Sequence, residues 1–191
     1  MYLAIMPENN TEGMTEEEKA QYEECLAYMD TVKEKLEFTE IEEKNTTGKM
    51  PSFTTKDLQG NTVTESIFQE KDLTVVNIWG TFCGPCIEEM PELAEWSESM
   101  PSNVQIIGLV CDIEGEDDQE HKDKALQIME KAGAGFTNII PADGLDSLLG
   151  QVTGVPTTIF VDKDGNITGE PVIGAYVSVY KKFVEDYISG K

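Results

Sequence analysis

The chain is 191 residues long and strongly acidic, with 37 acidic residues against 14 basic ones and a formal net charge of -23. Every basic residue is lysine. Such a chain is repelled by nucleic acid and anionic membrane surfaces, and without arginine it lacks the fork that grips phosphate bidentately, so neither nucleic-acid nor nucleotide binding is expected.

The four cysteines, Cys25, Cys83, Cys86 and Cys111, are too few and too unevenly spaced for a disulfide framework. Only one close pair exists, so a zinc ribbon lacks its second half and no metal site is expected. No apolar run approaches the roughly 20 residues of a membrane helix, and Met1 to Met6 lacks the basic flank of a signal peptide. The numbering is nevertheless compatible with a removed leader or a longer reading frame.

Residues 1–48 carry 13 acidic residues and 4 lysines. Thr15 before Glu16, Glu17 and Glu18 reads as a helix start, and Tyr22, Leu26, Met29, Val32 and Leu36 recur at helical spacing, predicting a helix from Glu16 to Phe38. Its apolar stripe calls for docking or self-association, and Cys25, one position off the stripe, reads as an idle thiol. Asn45 to Lys49 reads as a polar linker, which divides the chain into an acidic helical extension, 1–49, and a main domain, 50–191.

Within the main domain, Ser52 to Thr55 and Asn61 to Thr64 flank a turn and predict a short hairpin. Leu73 to Trp79 is a nearly continuous apolar run, as expected for a central strand covered on both faces. A helix over Ile87 to Met100 follows, with Pro91 predicting a kink, then a second strand, Val104 to Cys111. Asp123 to Lys131 reads as helix, Thr137 to Ile140 as a short strand, and Leu145 to Leu149 as a helical turn. Thr157 to Val161 and Ile167 to Ile173 are strands joined through an Asp-Lys-Asp-Gly-Asn turn, and Tyr176 to Ile188 closes the chain as an amphipathic helix. Parallel crossovers followed by an antiparallel end predict an α/β domain with a central mixed sheet flanked by helices.

The chemistry concentrates at Trp79-Gly80-Thr81-Phe82-Cys83-Gly84-Pro85-Cys86, where a strand delivers two thiols to a helix start. Free N–H groups and the helix dipole stabilise a thiolate at a first helical turn, and Cys83 is placed to benefit. Two cysteines two residues apart can close a disulfide within one turn. Gly84 leaves the outer sulfur accessible, and Pro85 sits where a missing N–H costs little. Attack by Cys83 on a disulfide gives a mixed disulfide that Cys86 resolves. Glu89, three residues beyond Cys86, is placed by helical spacing near the inner thiol, although Glu88, Glu92 and Glu95 make a solvated acidic face its rival. Cys111 ends a parallel strand on the side where open α/β sheets form sites, with a buried inert thiol as the alternative. His121, among acidic neighbours, reads as a surface residue.

Val75-Val76-Asn77-Ile78-Trp79-Gly80-Thr81-Phe82-Cys83-Gly84-Pro85-Cys86, then Glu88-Glu89-Met90-Pro91, then Gly154-Val155-Pro156-Thr157-Thr158 with Asp164-Gly165, resemble the thioredoxin superfamily, specifically the TlpA/ResA-type thiol-disulfide oxidoreductases. The resemblance covers residues 51 to 188 and implies a thioredoxin-like fold. It implies a cis Val155-Pro156 peptide facing the dithiol, in keeping with the X-Pro preference for that isomer. Val155 and Pro156, with Trp79, Gly84 and Pro85, would then make up the surface that receives an extended client segment as an added strand. Trp79 matches the family tryptophan beneath the active-site loop, and Glu89 matches a glutamate implicated in proton handling for the cysteine pair.

The resemblance also implies no cofactor beyond the Cys83–Cys86 disulfide, and a location outside the cytoplasm, exported or membrane-anchored. Disulfide-bearing client proteins and a membrane dithiol electron donor are the implied partners. Gly-Pro is the dipeptide of thioredoxin itself, whose potential is about -270 mV, which favours reduction of clients over oxidation. A thiol peroxidase is the enzymatic alternative, but the positions seven and three before Cys83 hold Val76 and Gly80 instead of the Pro and Thr or Ser it requires. Copper or metal binding through Cys83 and Cys86, or a binding module that recruits partners through the acidic helix, are the other readings.

Overall fold

The computed structural model describes residues 48–190 and Thr15. The helix expected over Glu16 to Phe38, and Cys25 with it, lie outside the described residues. The hydrogen-bonded elements are β1 (Gly48–Lys49), β2 (Thr54–Lys56), β3 (Thr62–Thr64), β4 (Leu73–Trp79), α1 (Gly84–Ser99), β5 (Val104–Val110), α2 (Gln119–Ala132), β6 (Asn138–Ile139), α3 (Asp146–Leu149), β7 (Thr157–Asp162), β8 (Asn166–Ile173) and α4 (Val177–Ile188). A six-residue 3-10 helix, Glu65–Glu70, joins β3 to β4. Six strands form one sheet in the order β1-β8-β7-β4-β5-β6, and β2 and β3 form a separate hairpin. β4 runs parallel to β5 and antiparallel to β7, the mixture expected from crossovers followed by a hairpin.

All seven residues of β4 are buried, as a central strand with both faces covered requires. Alternation sorts its side chains. Leu73, Val75 and Trp79 join the cluster formed with α1, α2 and α4, while Val76 and Ile78 join the opposite cluster with Phe53, Phe68, Leu145 and Leu148. Asn77 falls on the first face and is itself buried. A polar side chain there has to find partners within the core.

Several boundaries differ from those expected, each for a local reason. Gly48–Lys49, read as linker, pairs with Asn166 and Ile167 of β8, a pairing too short to leave a periodic signal. α2 starts four residues before the expected Asp123 because Asp118 caps it, accepting the backbone N–H of His121 through its carboxylate. α1 includes Gly84 and Pro85 in its first turn, and Pro91 lies within the continuous helix. The hairpin turn before β3 is held by the Asp57 carboxylate, which accepts the backbone N–H groups of Gln59 and Asn61. Among the described residues no helix is long and apolar enough to cross a membrane.

Candidate active site

Cys83 is the residue that caps α1, and its Sγ accepts the backbone N–H of Cys86 at 3.2 Å. The strand-to-helix junction therefore aims one of the helix's unpaired N–H groups at the first sulfur. Cys83 and Cys86 are joined as a disulfide. Cys83 is 6% exposed and Cys86 fully buried, while Gly84 and Pro85 between them are exposed. The outer sulfur is thus the one a partner can reach. The Val155-Pro156 peptide is cis, and the Val155 carbonyl oxygen lies 3.4 Å from Cys83 Sγ. In the disulfide this is a packing contact, because the sulfur carries no proton.

Beneath the disulfide, Trp79 is fully buried, so it supports the active-site loop from within the core and does not reach solvent. Its Nε1 donates to Asn138 Oδ1 at 2.8 Å. Gly108 on β5 makes room for that bond, since a Cβ there would collide with the Asn138 amide. Above Trp79, Asp112 clamps the loop: its carboxylate accepts the Thr81 backbone N–H at 3.0 Å and the Thr81 hydroxyl at 2.6 Å. Phe82, at the crest, is 68% exposed.

Glu89 is 5% exposed, whereas Glu88, Glu92 and Glu95 on the same helix face solvent, so the solvated-face alternative for Glu89 does not hold. Its Oε1 accepts from Asn77 Nδ2 at 2.9 Å and its Oε2 lies 3.3 Å from the Tyr180 hydroxyl. Desolvation pushes the carboxyl up to about 7, with the nearby Glu92 adding to the rise and the bonds from Asn77 and Tyr180 opposing it. A group with that value holds or gives up a proton near neutral pH. Asn77 Nδ2 also donates to Thr158 Oγ1 at 3.1 Å, tying β4 to β7 beside the carboxyl.

Cys111 is half-buried and free, and burial pushes its thiol above the usual range, with Asp112 acting in the same direction. It lines a recess of about 300 Å³ with Phe82, Leu149, Val152 and Val155. His121 sits at the surface with Nδ1 2.8 Å from Asp118. Among the described residues no cluster of three or more His, Cys, Asp or Glu side chains is arranged to hold a metal ion. Sequence reasoning missed Asn77, Asp112, Asn138 and Tyr180. Only Asn77 carried a signal, a polar residue in the middle of an otherwise apolar strand.

A mixed sheet of this order, carrying a Cys-Gly-Pro-Cys disulfide at the start of its first long helix and a proline turn against the outer sulfur, is a thioredoxin-like fold and defines a thiol-disulfide oxidoreductase. The redoxin family profile matches residues 45–179, and the chain belongs to that family, as a TlpA/ResA-type member of the thioredoxin superfamily. The thiol-disulfide oxidoreductase ResA of Bacillus thuringiensis subsp. konkukian is 34% identical over 132 residues, spanning 68% of this chain and 71% of its own. Among solved structures, the thioredoxin domain of a thiol-disulfide oxidoreductase from Bacteroides vulgatus superposes with a TM-score of 0.55 at 27% identity, covering 72% of this chain and 97% of that domain. A thiol:disulfide interchange protein of the thioredoxin family from Chlorobium tepidum gives 0.58 at 19% identity, over 73% and 94%, a likeness of fold.

Proposed function

We propose that this protein reduces disulfides of client proteins outside the cytoplasm and is itself re-reduced by a membrane dithiol donor. The observation that carries the reading is the placement of Cys83, bonded to the Cys86 N–H and set 3.4 Å from the Val155 carbonyl, beside the exposed Gly84 and Pro85. In the reduced protein the same N–H and helix start favour the Cys83 thiolate. That thiolate attacks one sulfur of a client disulfide, and the client's other sulfur leaves as a thiolate. The Glu89 carboxylate takes the proton of Cys86, whose thiolate attacks Cys83, releasing the second client sulfur and closing the Cys83–Cys86 disulfide. Two electrons pass to the client, and the donor restores the dithiol. Val155, Pro156, Gly84 and Pro85 form the edge that receives the client segment, and Trp79 holds the loop from below. The extracytoplasmic setting and the membrane donor rest on the family resemblance. The division into an acidic segment, 1–49, and a catalytic domain, 50–191, belongs to the same proposal, except that Gly48 and Lys49 pair with β8 and so fall on the domain's side of the boundary.

Cys83→Ser is expected to abolish reduction of insulin disulfides, and Cys86→Ser to accumulate mixed disulfides through Cys83 that a non-reducing gel and mass spectrometry detect. Insulin reduction retained by Cys83→Ser, or no adduct formed by Cys86→Ser, would remove the assigned order of attack.

A further inference from the structure

Tyr180 is a fully buried phenol on α4 that the reaction as described does not use. Its hydroxyl donates to the Gly174 carbonyl at 2.6 Å, accepts the Tyr176 backbone N–H at 3.2 Å, and lies 3.3 Å from Glu89 Oε2. Gly174 follows β8 with φ of 106°, a conformation open to glycine, and its own N–H donates to the Pro156 carbonyl at 2.7 Å. A continuous chain of hydrogen bonds thus runs from Glu89 through Tyr180 and Gly174 to the residue that follows Val155 at the dithiol.

We propose that Tyr180 is a positioning residue whose hydroxyl couples the charge on Glu89 to the Val155-Pro156 turn. A hydroxyl has one proton to give. When Glu89 is protonated it donates to the Tyr180 oxygen, and the Tyr180 proton stays on the Gly174 carbonyl. Once Glu89 is ionised, its carboxylate competes for that proton as the stronger acceptor. Tyr180 then turns toward Oε2, leaving the Gly174 carbonyl only the Tyr176 N–H at 3.0 Å. The Gly174 turn, and with it the hydrogen bond to Pro156, adjusts to the proton on Glu89. Burial pushes the Tyr180 phenol up to about 12, so it remains a neutral relay throughout.

Of the other groups facing Glu89, none bonds the Gly174 carbonyl, although Asn77 and Thr158 join the same network and Thr158 also hydrogen-bonds the Tyr180 hydroxyl. On its own helix, Cys86 is in the disulfide and Glu92 is exposed and paired with Lys181 of α4 at 2.8 Å. β4 and β7 contribute the neutral Asn77 and Thr158. The consequence for turnover rests on the proton-acceptor role proposed for Glu89. With it, proton transfer from Cys86 and release of the client segment become coupled events.

The test uses the full-length oxidised protein labelled with 13C and 15N, following the Glu89 side-chain carboxyl and the Gly174 amide by NMR from pH 5 to 9. In the wild type the Gly174 amide is expected to shift with the same midpoint as Glu89. Tyr180→Phe retains the ring and removes only the hydroxyl; it should raise the Glu89 midpoint by about 0.5 to 1 pH unit, the effect of losing one hydrogen bond to the ionised form, and silence the Gly174 response. A wild-type Gly174 amide that stays flat through the Glu89 titration overturns the proposal, as does a Tyr180→Phe protein in which both curves are unchanged. The separate reading of Glu89 as proton acceptor is judged by the pH–rate profile of mixed-disulfide resolution in Glu89→Gln. An unchanged profile there removes that role and leaves the NMR result to decide Tyr180 alone.

Discussion

At the scale of single residues, Glu89 shows how burial changes the chemistry of a common side chain. Four glutamates stand within eight residues on α1, and only the one turned toward Asn77 and Tyr180 is buried. Its value of about 7 lies above the ordinary 4.5, so the carboxyl supports the fold while it is protonated. That contribution is fully present below the unfolded value and is lost as pH rises through about 7. The difference in urea-unfolding free energy between wild type and Glu89→Gln should therefore change by about 3 kcal/mol from pH 4.5 to pH 8, the wild type losing ground as it ionises. A difference that stays constant over this range would mean the carboxyl is better solvated than its surroundings suggest. Spacing from Cys86 offered Glu89 and the family motif singled it out, but periodicity alone could not separate it from its neighbours, because the choice depends on which face of α1 meets β4 and α4.

Among the elements, the active-site loop is fixed from two sides by side chains that are distant in sequence. Asp112, just beyond β5, holds Thr81, and Asn138 of β6 holds the Trp79 indole. Asn138→Ala leaves a buried indole N–H without its acceptor, a loss worth about 2 kcal/mol. Chemical unfolding of the oxidised protein should show that decrease, and no decrease would mean the indole has found another acceptor. The central strands were legible because β4 and β5 are apolar runs long enough to be read, and the helix after Cys86 was read over Ile87 to Met100, close to its observed span. β1 and the 3-10 helix were not, since pairs and single turns leave no pattern that separates them from loop. The contacts of Asp112 and Asn138 were invisible for a different reason: they depend on strand order, and local propensity carries no record of which strands become neighbours. The match of Gly154 to Thr158 to a family motif placed the proline turn against Cys83, which no periodicity indicates.

For the whole molecule, net charge bears on the rate of encounter with charged disulfides and redox poise on the direction of electron flow. The net charge of -23 produces a field that attracts basic clients and repels acidic ones, although close contact at the dithiol is with neutral groups such as Phe82, Gly84, Pro85 and Val155. Reduction of a lysine-rich disulfide client should slow by about tenfold as salt rises from low to several hundred millimolar, while reduction of a small neutral disulfide stays nearly constant, as stopped-flow measurement can show. Equal salt dependence for both would place the charge away from the approach path. Direction of electron flow is decided by the reduction potential of the Cys83–Cys86 couple, measured by equilibration with dithiothreitol or glutathione buffers followed by alkylation and mass spectrometry. A value close to thioredoxin's, about -270 mV, is the predicted result, and one near the -120 mV of a strong oxidant, about 150 mV higher, would contradict the assignment as a reductase.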